Sequence, residues 1–161
     1  MKRKPKLADK YAPSPPCTCE VCVGYCARPG WWTVKEAAAA LEAGYASRMM
    51  VELAPDRTFG VLAPAFRGNE VNFALSRHAP AGCGFLLATR RCELHGTPFQ
   101  PLECRVCHHD RPGLGPQCHA DIERDWNSHA GRALIARWAR LTGFLDALEL
   151  SYGRRPAGIA G

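Results

Sequence analysis

The sequence lacks the two segments that would carry the chain out of the cytosol or into a membrane. None of its 161 residues belongs to a run of 18 or more apolar positions, which is the length that a membrane-spanning helix requires. The N-terminal stretch MKRKPKLADKYAPSPP is charged but has no apolar core like that of a secretory signal peptide. We therefore expect a cytoplasmic protein whose cysteine thiols are reduced.

Two further features are missing, and both limit the functions that the sequence suggests. No internal repeat is visible, and neither paired carboxylates nor a nucleophile motif accompanies the cysteine-rich stretches. The sequence consequently leaves open whether the protein is an enzyme. It does contain nine cysteines, and eight of them fall in two short stretches. Cysteines this close together either form disulfides or hold a metal, and a reducing compartment favours metal.

Length, charge and the positions of the cysteines predict one metal-binding domain between two flanking segments. Residues 1–16 carry +4 of the formal net charge of +6 and end in a proline-rich run, so we expect a disordered basic leader. Residues 17–150 are expected to form a single cysteine-cluster domain, and residues 151–161 a flexible tail. If two zinc ions were each bound by four thiolates, each site would contribute a charge of about −2. The part of the chain that follows the basic leader would then be slightly acidic, so nucleic acid is not an expected partner.

The first cysteine cluster is CTCEVCVGYC at positions 17–26. Two cysteines separated by two residues form a turn in which both sulfurs can reach one ion at about 2.3 Å. Cys19 and Cys22 match this spacing, and Cys17 and Cys26 are close enough to complete the site or to bridge to another. The spacing indicates a metal without selecting which metal.

The second cluster is spread over positions 83–107, with a last cysteine, Cys118, beyond it. Cys104 and Cys107 repeat the two-residue spacing, and Cys92, His95 or Cys118 could complete a tetrahedral site. Cys83 precedes an apolar run and, taken alone, would fit a small core residue. The predicted metal ligands of the whole chain are Cys17, Cys19, Cys22, Cys26, Cys83, Cys92, Cys104, Cys107 and His95.

The histidines beside this cluster are ambiguous. His95, His108 and His109 each lie near a cysteine, where a histidine can be a ligand or a hydrogen-bond partner of one. Cys104-Arg-Val-Cys107-His108 also satisfies the C-x-x-C-H pattern of covalent haem attachment. That chemistry takes place on exported chains, so we do not adopt it.

Three elements of the second stretch resemble the signature of the YkgJ-type cysteine-cluster proteins, described as zinc- or iron-chelating. They are Cys83-Gly-Phe-Leu, Cys92-Glu-Leu-His95 and Pro101-Leu-Glu-Cys104-Arg105, and they follow a dense N-terminal cysteine motif as in that family. The resemblance spans residues 17–107. It departs from the family in the first motif, which has no adjacent cysteine pair. The resemblance implies metal chelation and says little about a substrate, although a related cluster is associated with lysine methylation of flagellin.

The remaining patterns predict a small α+β fold stabilised by metal. Thr33-x-x-Glu36 is a capping box that starts a helix over about 34–48. Further helices are expected at 116–127, with Pro116 in the first position, and at 129–142, where Ser128 is the cap and Gly143 the stop. Short strands and loops at 50–110 would surround the metal, with a small hairpin around Arg90 and Arg91.

Three functions are compatible with this sequence. The leading prediction is a metal-binding protein, with zinc or iron held by thiolates that organise the fold. The first alternative is an enzyme that uses an iron–sulfur cluster or an open metal position. The second is a zinc-ribbon-like module for nucleic acid or a protein partner, with Trp31-Trp32 as an exposed stacking platform. That tryptophan pair could equally pack beneath the helix that follows it.

Overall fold

A three-stranded sheet lies at the centre of the fold in a computed structural model, which describes residues 5–56, 58–75 and 82–144. Strand β1 (Met49–Leu53) is in the middle, with β2 (Gly60–Pro64) antiparallel on one side and β3 (Phe73–Leu75) parallel on the other. Four of the five residues of β1 and all of β2 are buried. The sheet is therefore covered on both faces, as apolar runs without alternation indicate.

Six helices surround this sheet in the described part of the chain. They are α1 (Leu7–Lys10), α2 (Glu20–Gly24), α3 (Val34–Glu42), α4 (Leu102–Val106), α5 (Leu114–Trp126) and α6 (His129–Thr142). Helix α6 packs against β2 and α3, and α4 packs against α5. The predicted α+β class, with a helical C-terminal part, is confirmed. The predicted tail at 151–161 lies outside the described residues.

The helix ends follow from local sequence. The capping box is present, because the Thr33 hydroxyl accepts from the Glu36 N–H at 3.2 Å and the Glu36 carboxylate accepts from the Thr33 N–H at 3.0 Å. Ser128 caps α6 with a single bond, since its hydroxyl accepts the Gly131 N–H at 3.1 Å, and Gly143 ends the helix with a φ of 69°. Helix α3 is shorter than predicted, since Gly44 takes a φ of 98° and the chain leaves the helix there. Pro116 is the third residue of α5 rather than its first.

The core is built around indole rings whose N–H groups all find hydrogen-bond acceptors. Trp32, Trp126 and Trp138 are fully buried. Their indole nitrogens donate to the carbonyls of Phe99, Trp32 and Ala46 at 2.7 to 2.9 Å. Burial of a large ring without an unpaired N–H is favourable. Trp31 is only 4% exposed, so the alternative of an exposed Trp31-Trp32 stacking platform is wrong.

The predicted disordered leader also needs correction over residues 5–16. Tyr11 is 2% exposed and belongs to the main core cluster. Its hydroxyl donates to Asp121 on α5, and Lys10 forms an ion pair of 2.6 Å with the same carboxylate. The Ser14 N–H donates to the Arg105 carbonyl at 2.6 Å. Basic composition suggested disorder, but one buried aromatic ring and its hydrogen bonds hold this segment against α4 and α5.

The predicted hairpin at 83–95 is present in a minimal form. Leu86 and Cys92 form a single antiparallel bridge, flanked by bonds from the Leu87 N–H to the Arg91 carbonyl and from the Glu93 N–H to the Phe85 carbonyl, both 2.8 Å. A second bridge joins Phe66 to Cys83. Within the described ranges, we find no helix of the length and apolarity needed to cross a bilayer.

Candidate metal centre

The candidate centre joins two segments that contribute little to the apolar core. The segment carrying the first cysteine cluster has no buried side chain from residue 17 to residue 28. It consists of a loop, α2 and a single 3-10 turn at Tyr25–Ala27. The second segment is the loop after α4, which carries His108 and His109. Side chains of these two segments meet outside the core.

Three cysteine sulfurs converge on one imidazole nitrogen. The Sγ atoms of Cys17, Cys19 and Cys22 lie 3.6, 3.5 and 3.3 Å from Nδ1 of His109. In a tetrahedral zinc site with Zn–S of about 2.3 Å and Zn–N of about 2.0 Å, sulfur and nitrogen are about 3.5 Å apart. The three sulfur–nitrogen separations therefore match those around a single tetrahedral ion.

The His109 ring is oriented by contacts on its other side. Its Nε2 lies 2.9 Å from Oδ1 of Asp110, and its backbone N–H donates to the Cys22 sulfur at 3.4 Å. A carboxylate on the far nitrogen of a metal-binding histidine holds the ring in place and directs the other nitrogen to the metal. This arrangement leaves Nδ1 of His109 available to a metal.

His108 lies beside the same cluster. One ligand atom from each of Cys17, Cys22, His108 and His109 lies within 4.8 Å of the others. Nδ1 of His108 accepts the Asp110 N–H at 3.1 Å, and its ring is 4% exposed and tilted over that of His109 at 4.2 Å. Since Nδ1 of His108 already has a donor, only its Nε2 could bind a metal. His109 is the better fourth ligand because the three sulfurs surround its Nδ1.

The thiols of this cluster differ in acidity. The backbone N–H of Cys22 and the thiol of Cys17 lower the pKa of Cys19 to about 7. Burial raises the pKa of Cys22 to about 11. Cys19 is thus partly thiolate at neutral pH, whereas Cys22 must release its proton when a metal binds. Metal affinity at this cluster therefore depends on pH.

Four other predicted ligands line the same cavity as part of the first cluster. They are Cys26, Cys83, Cys92 and Cys104, and Cys17, Cys22, Cys107 and His108 line that cavity as well. Burial is the main reason that the pKa of Cys104 is raised well above its usual value, and the negative charges of the other three thiols raise it further. Burial likewise raises the pKa of Cys83 to about 12, with Cys92 and Cys26 adding to the effect. These four thiols are close enough to interact electrostatically.

The two remaining predicted ligands are Cys107 and His95. Burial raises the pKa of Cys107 to about 12, and the charges of Glu103, Cys26 and Cys22 add to that increase. The His95 ring is 3.2 Å from the side-chain nitrogen of Gln100. Cys118 is fully buried in the core on α5.

His109 is the functional residue that sequence reasoning did not include among the ligands. The spacing rule finds cysteine pairs, but it cannot show that residue 109 folds back onto positions 17–22. The available signal was the pair His108-His109 directly after Cys107, which marks the loop as rich in ligands. Choosing between the two rings required their contacts to Asp110.

Comparison with known proteins gives no match to this chain. No protein-family model, no curated protein and no solved structure matches this chain. The resemblance to the YkgJ-type proteins therefore stays a prediction. The Cys/His cluster itself is compatible with metal binding.

Proposed function

We propose that the protein binds a metal ion through Cys17, Cys19, Cys22 and His109, and that this ion organises the N-terminal part of the fold. The observation that carries the proposal is the approach of three sulfurs to one Nδ1 at 3.3 to 3.6 Å. One imidazole nitrogen carries either a single proton or a single lone pair, so hydrogen bonding alone does not account for three sulfurs around it. A shared cation would account for all three.

Zinc is the metal that this ligand set fits best. Three thiolates and one imidazole make a four-coordinate site, and this combination is characteristic of structural zinc. All four positions are filled by protein side chains, so no coordination position is left for a substrate. Iron is the other metal that accepts thiolate and imidazole ligands, and elemental analysis separates the two.

The ion would stabilise a segment that the apolar core does not hold. Zinc bound to thiolates contributes on the order of 10 kcal/mol to the folding of small domains. The segment 17–28 has no buried side chain, so hydrophobic burial contributes little to its position. Coordination links it to the loop after α4.

The other functions suggested by the sequence have weaker support. The stacking platform that favoured a nucleic-acid module is buried with Trp31 and Trp32. The enzyme alternative and the family resemblance stay predictions, and both are compatible with a chelating site. A cytoplasmic location likewise stays a prediction.

Elemental analysis of matched histidine variants tests the proposal. We expect His109→Ala to lose one equivalent of zinc per chain relative to the wild type, when both are purified without added metal. The control is His129→Ala, which changes an exposed histidine at the start of α6 and should keep the full metal content. Equal metal content in all three proteins would refute the proposed site. Circular dichroism in the same samples reports whether the variants retain their helices.

A further inference from the structure

The proposed site holds more donor atoms than one tetrahedral ion can use. Cys17, Cys19 and Cys22 surround Nδ1 of His109 at 3.3 to 3.6 Å. A ring nitrogen of His108 lies within 4.8 Å of the ligand atoms of Cys17, Cys22 and His109. A structural zinc ion takes four ligands, so these five donors form two alternative sets. Both sets contain Cys17, Cys22 and His109, and they differ in whether Cys19 or His108 is the fourth ligand.

We propose that His108 is a reserve ligand that replaces Cys19 on the ion, which frees the Cys19 thiolate to react with a carbon electrophile while the ion stays bound. The inference rests on the proposed function, because it concerns the same ion. It adds that the three thiols are not equivalent. Cys17 and Cys22 hold the ion in both ligand sets, whereas Cys19 is exchangeable.

Exposure distinguishes Cys19 from the other two thiols. Cys19 is exposed, whereas Cys17 and Cys22 are partly buried and line the cavity beside α4. The Cys22 sulfur also accepts the His109 N–H at 3.4 Å, a contact that ties it to the loop after α4 without the ion. A reagent in solution therefore reaches the Cys19 sulfur more readily than the other two.

His108 is held beside the site by burial and ring packing. It is 4% exposed, its ring centroid lies 4.2 Å from that of His109, and it lines the same cavity as Cys17 and Cys22. Within the described ranges, Nε2 of His108 has no hydrogen-bond partner. Polar atoms of buried side chains usually have one, so this nitrogen is available to a metal. Ligand atoms in a tetrahedral site are about 3.5 Å apart, so His108 would move inward by roughly 1 Å to bind.

The position of the ring proton explains why Cys19 and not His108 is the resting ligand. Nδ1 of His108 accepts the Asp110 N–H at 3.1 Å, which places the proton of the neutral ring on Nε2. Binding through Nε2 requires that proton on Nδ1 instead, where Oδ2 of Asp110 lies 3.7 Å away and can accept it after a small approach. The exchange therefore costs one hydrogen bond, and His108 binds only when Cys19 is no longer a good ligand.

Alkylation is a reaction that makes Cys19 a poor ligand. Its Sγ attacks an electrophilic carbon and forms a C–S bond, and the leaving group departs with the electron pair of the bond that breaks. The product is a neutral thioether, whereas the metal ligand is the thiolate. Replacement by the neutral imidazole of His108 then changes the charge of the site from about −1 to about zero. An oxidant acts differently, because a sulfenic acid at Cys19 condenses with a neighbouring thiol and removes two ligands.

Limited alkylation of the zinc-loaded, full-length chain tests the proposal, with iodoacetamide as the probe and iodide as the leaving group. We expect the first carbamidomethyl group on Cys19, located by peptide mass spectrometry, and no release of zinc to a colorimetric chelator. In His108→Ala the same modification should release one equivalent of zinc. His129→Ala is the control and should behave like the wild type. Equal zinc release, or equal retention, in the wild type and His108→Ala would overturn the proposal, as would a first modification at any other cysteine.

A double-mutant cycle measures the same exchange without a reagent, and the alkylation of the wild type covers the case in which a variant does not fold. Zinc affinity, from competition with a chelator, should remain at least about tenfold higher in Cys19→Ser than in Cys22→Ser. Adding His108→Ala to Cys19→Ser should lower it by at least about tenfold more, whereas His108→Ala alone should have a smaller effect. Additive effects would overturn the reserve role of His108 and leave the Cys/His site intact. A wild type without zinc would instead refute the proposed function itself.

Discussion

Nδ1 of His109 lies 3.3 Å from Sγ of Cys22, although 87 positions separate the two residues in the chain. A second long-range link joins the Cys83 N–H to the Cys26 carbonyl at 3.0 Å. Both links attach the same segment, residues 17–28, to loops that follow it by more than fifty residues. Because this segment has no buried side chain, its attachment depends on polar contacts, to which the proposed ion would add coordination.

Removal of metal should release residues 17–28 while the core stays folded. The sheet, α3, α5 and α6 bury Trp32, Trp126 and Trp138 without any metal ligand, so their packing should persist. Hydrogen exchange measured by mass spectrometry before and after a zinc chelator tests this expectation. We expect loss of protection in peptides covering 17–28 and in the loop at 107–110, with α6 unchanged. Uniform loss across all peptides would show instead that the metal holds the entire domain.

Gly30→Ala should reduce metal binding although it removes no ligand. The added Cβ would overlap the Cys104 sulfur and would displace this predicted metal ligand. We expect loss of one equivalent of metal, measured by elemental analysis, together with destabilisation of about 1–3 kcal/mol. Gly24→Ala is the matched control, since a Cβ there meets nothing within 4 Å and Gly24 already has a helical φ of −58°. A Gly30→Ala protein with full metal content would show that Cys104 is not a ligand.

Local rules predicted much of the helical fold. The Thr33 and Ser128 caps and the Gly143 stop depend on neighbouring residues alone, and such signals can be read from a single sequence. The C-terminal end of α3 could not be predicted in this way, because Gly44 after an alanine-rich run could either continue the helix or end it. The positive φ of that glycine decides where the helix ends.

The sequence predicted which residues could bind a metal, but it did not predict which of them share one ion. Cysteine spacing identified Cys17, Cys19 and Cys22 as ligands, but it could not show that His109 folds back onto them. That grouping depends on tertiary contacts. The burial of Tyr11 was not predicted, because a single apolar side chain within a basic segment does not form a periodic pattern.

Cys104→Ser and Cys118→Ala should separate a ligand thiol from a core thiol. Cys104→Ser removes a predicted metal ligand and should lose one equivalent of metal. Cys118 is fully buried, so replacement by alanine should cost about 1 kcal/mol of stability through a small cavity. Its metal content should equal that of the wild type. Equal metal loss in both variants would place Cys118 among the ligands.

Asp121→Asn should reveal how strongly residues 5–16 are attached to α5. Hydrogen bonds from Lys10 and Tyr11 lower the pKa of Asp121 from 3.8 to about 2. Because the folded-state pKa is lowered, the carboxylate stabilises the fold above pH 4, and this contribution is lost as the pH falls toward 2. Since the Lys10 partner is half exposed, we expect Asp121→Asn to cost only about 1 kcal/mol at pH 7.

The measurement is urea unfolding of both proteins between pH 7 and pH 3, followed by tryptophan fluorescence. Both proteins lose metal as their thiols are protonated, so the informative quantity is the difference in unfolding free energy between them at each pH. That difference should shrink as the pH approaches 3. The control is Glu42→Gln, which alters an exposed carboxylate in an ion pair of 3.5 Å and should change stability by less than about 0.5 kcal/mol. A difference for Asp121→Asn that is zero at pH 7, or that grows as the pH falls, would show that Lys10 and Tyr11 do not hold the N-terminal segment through this carboxylate.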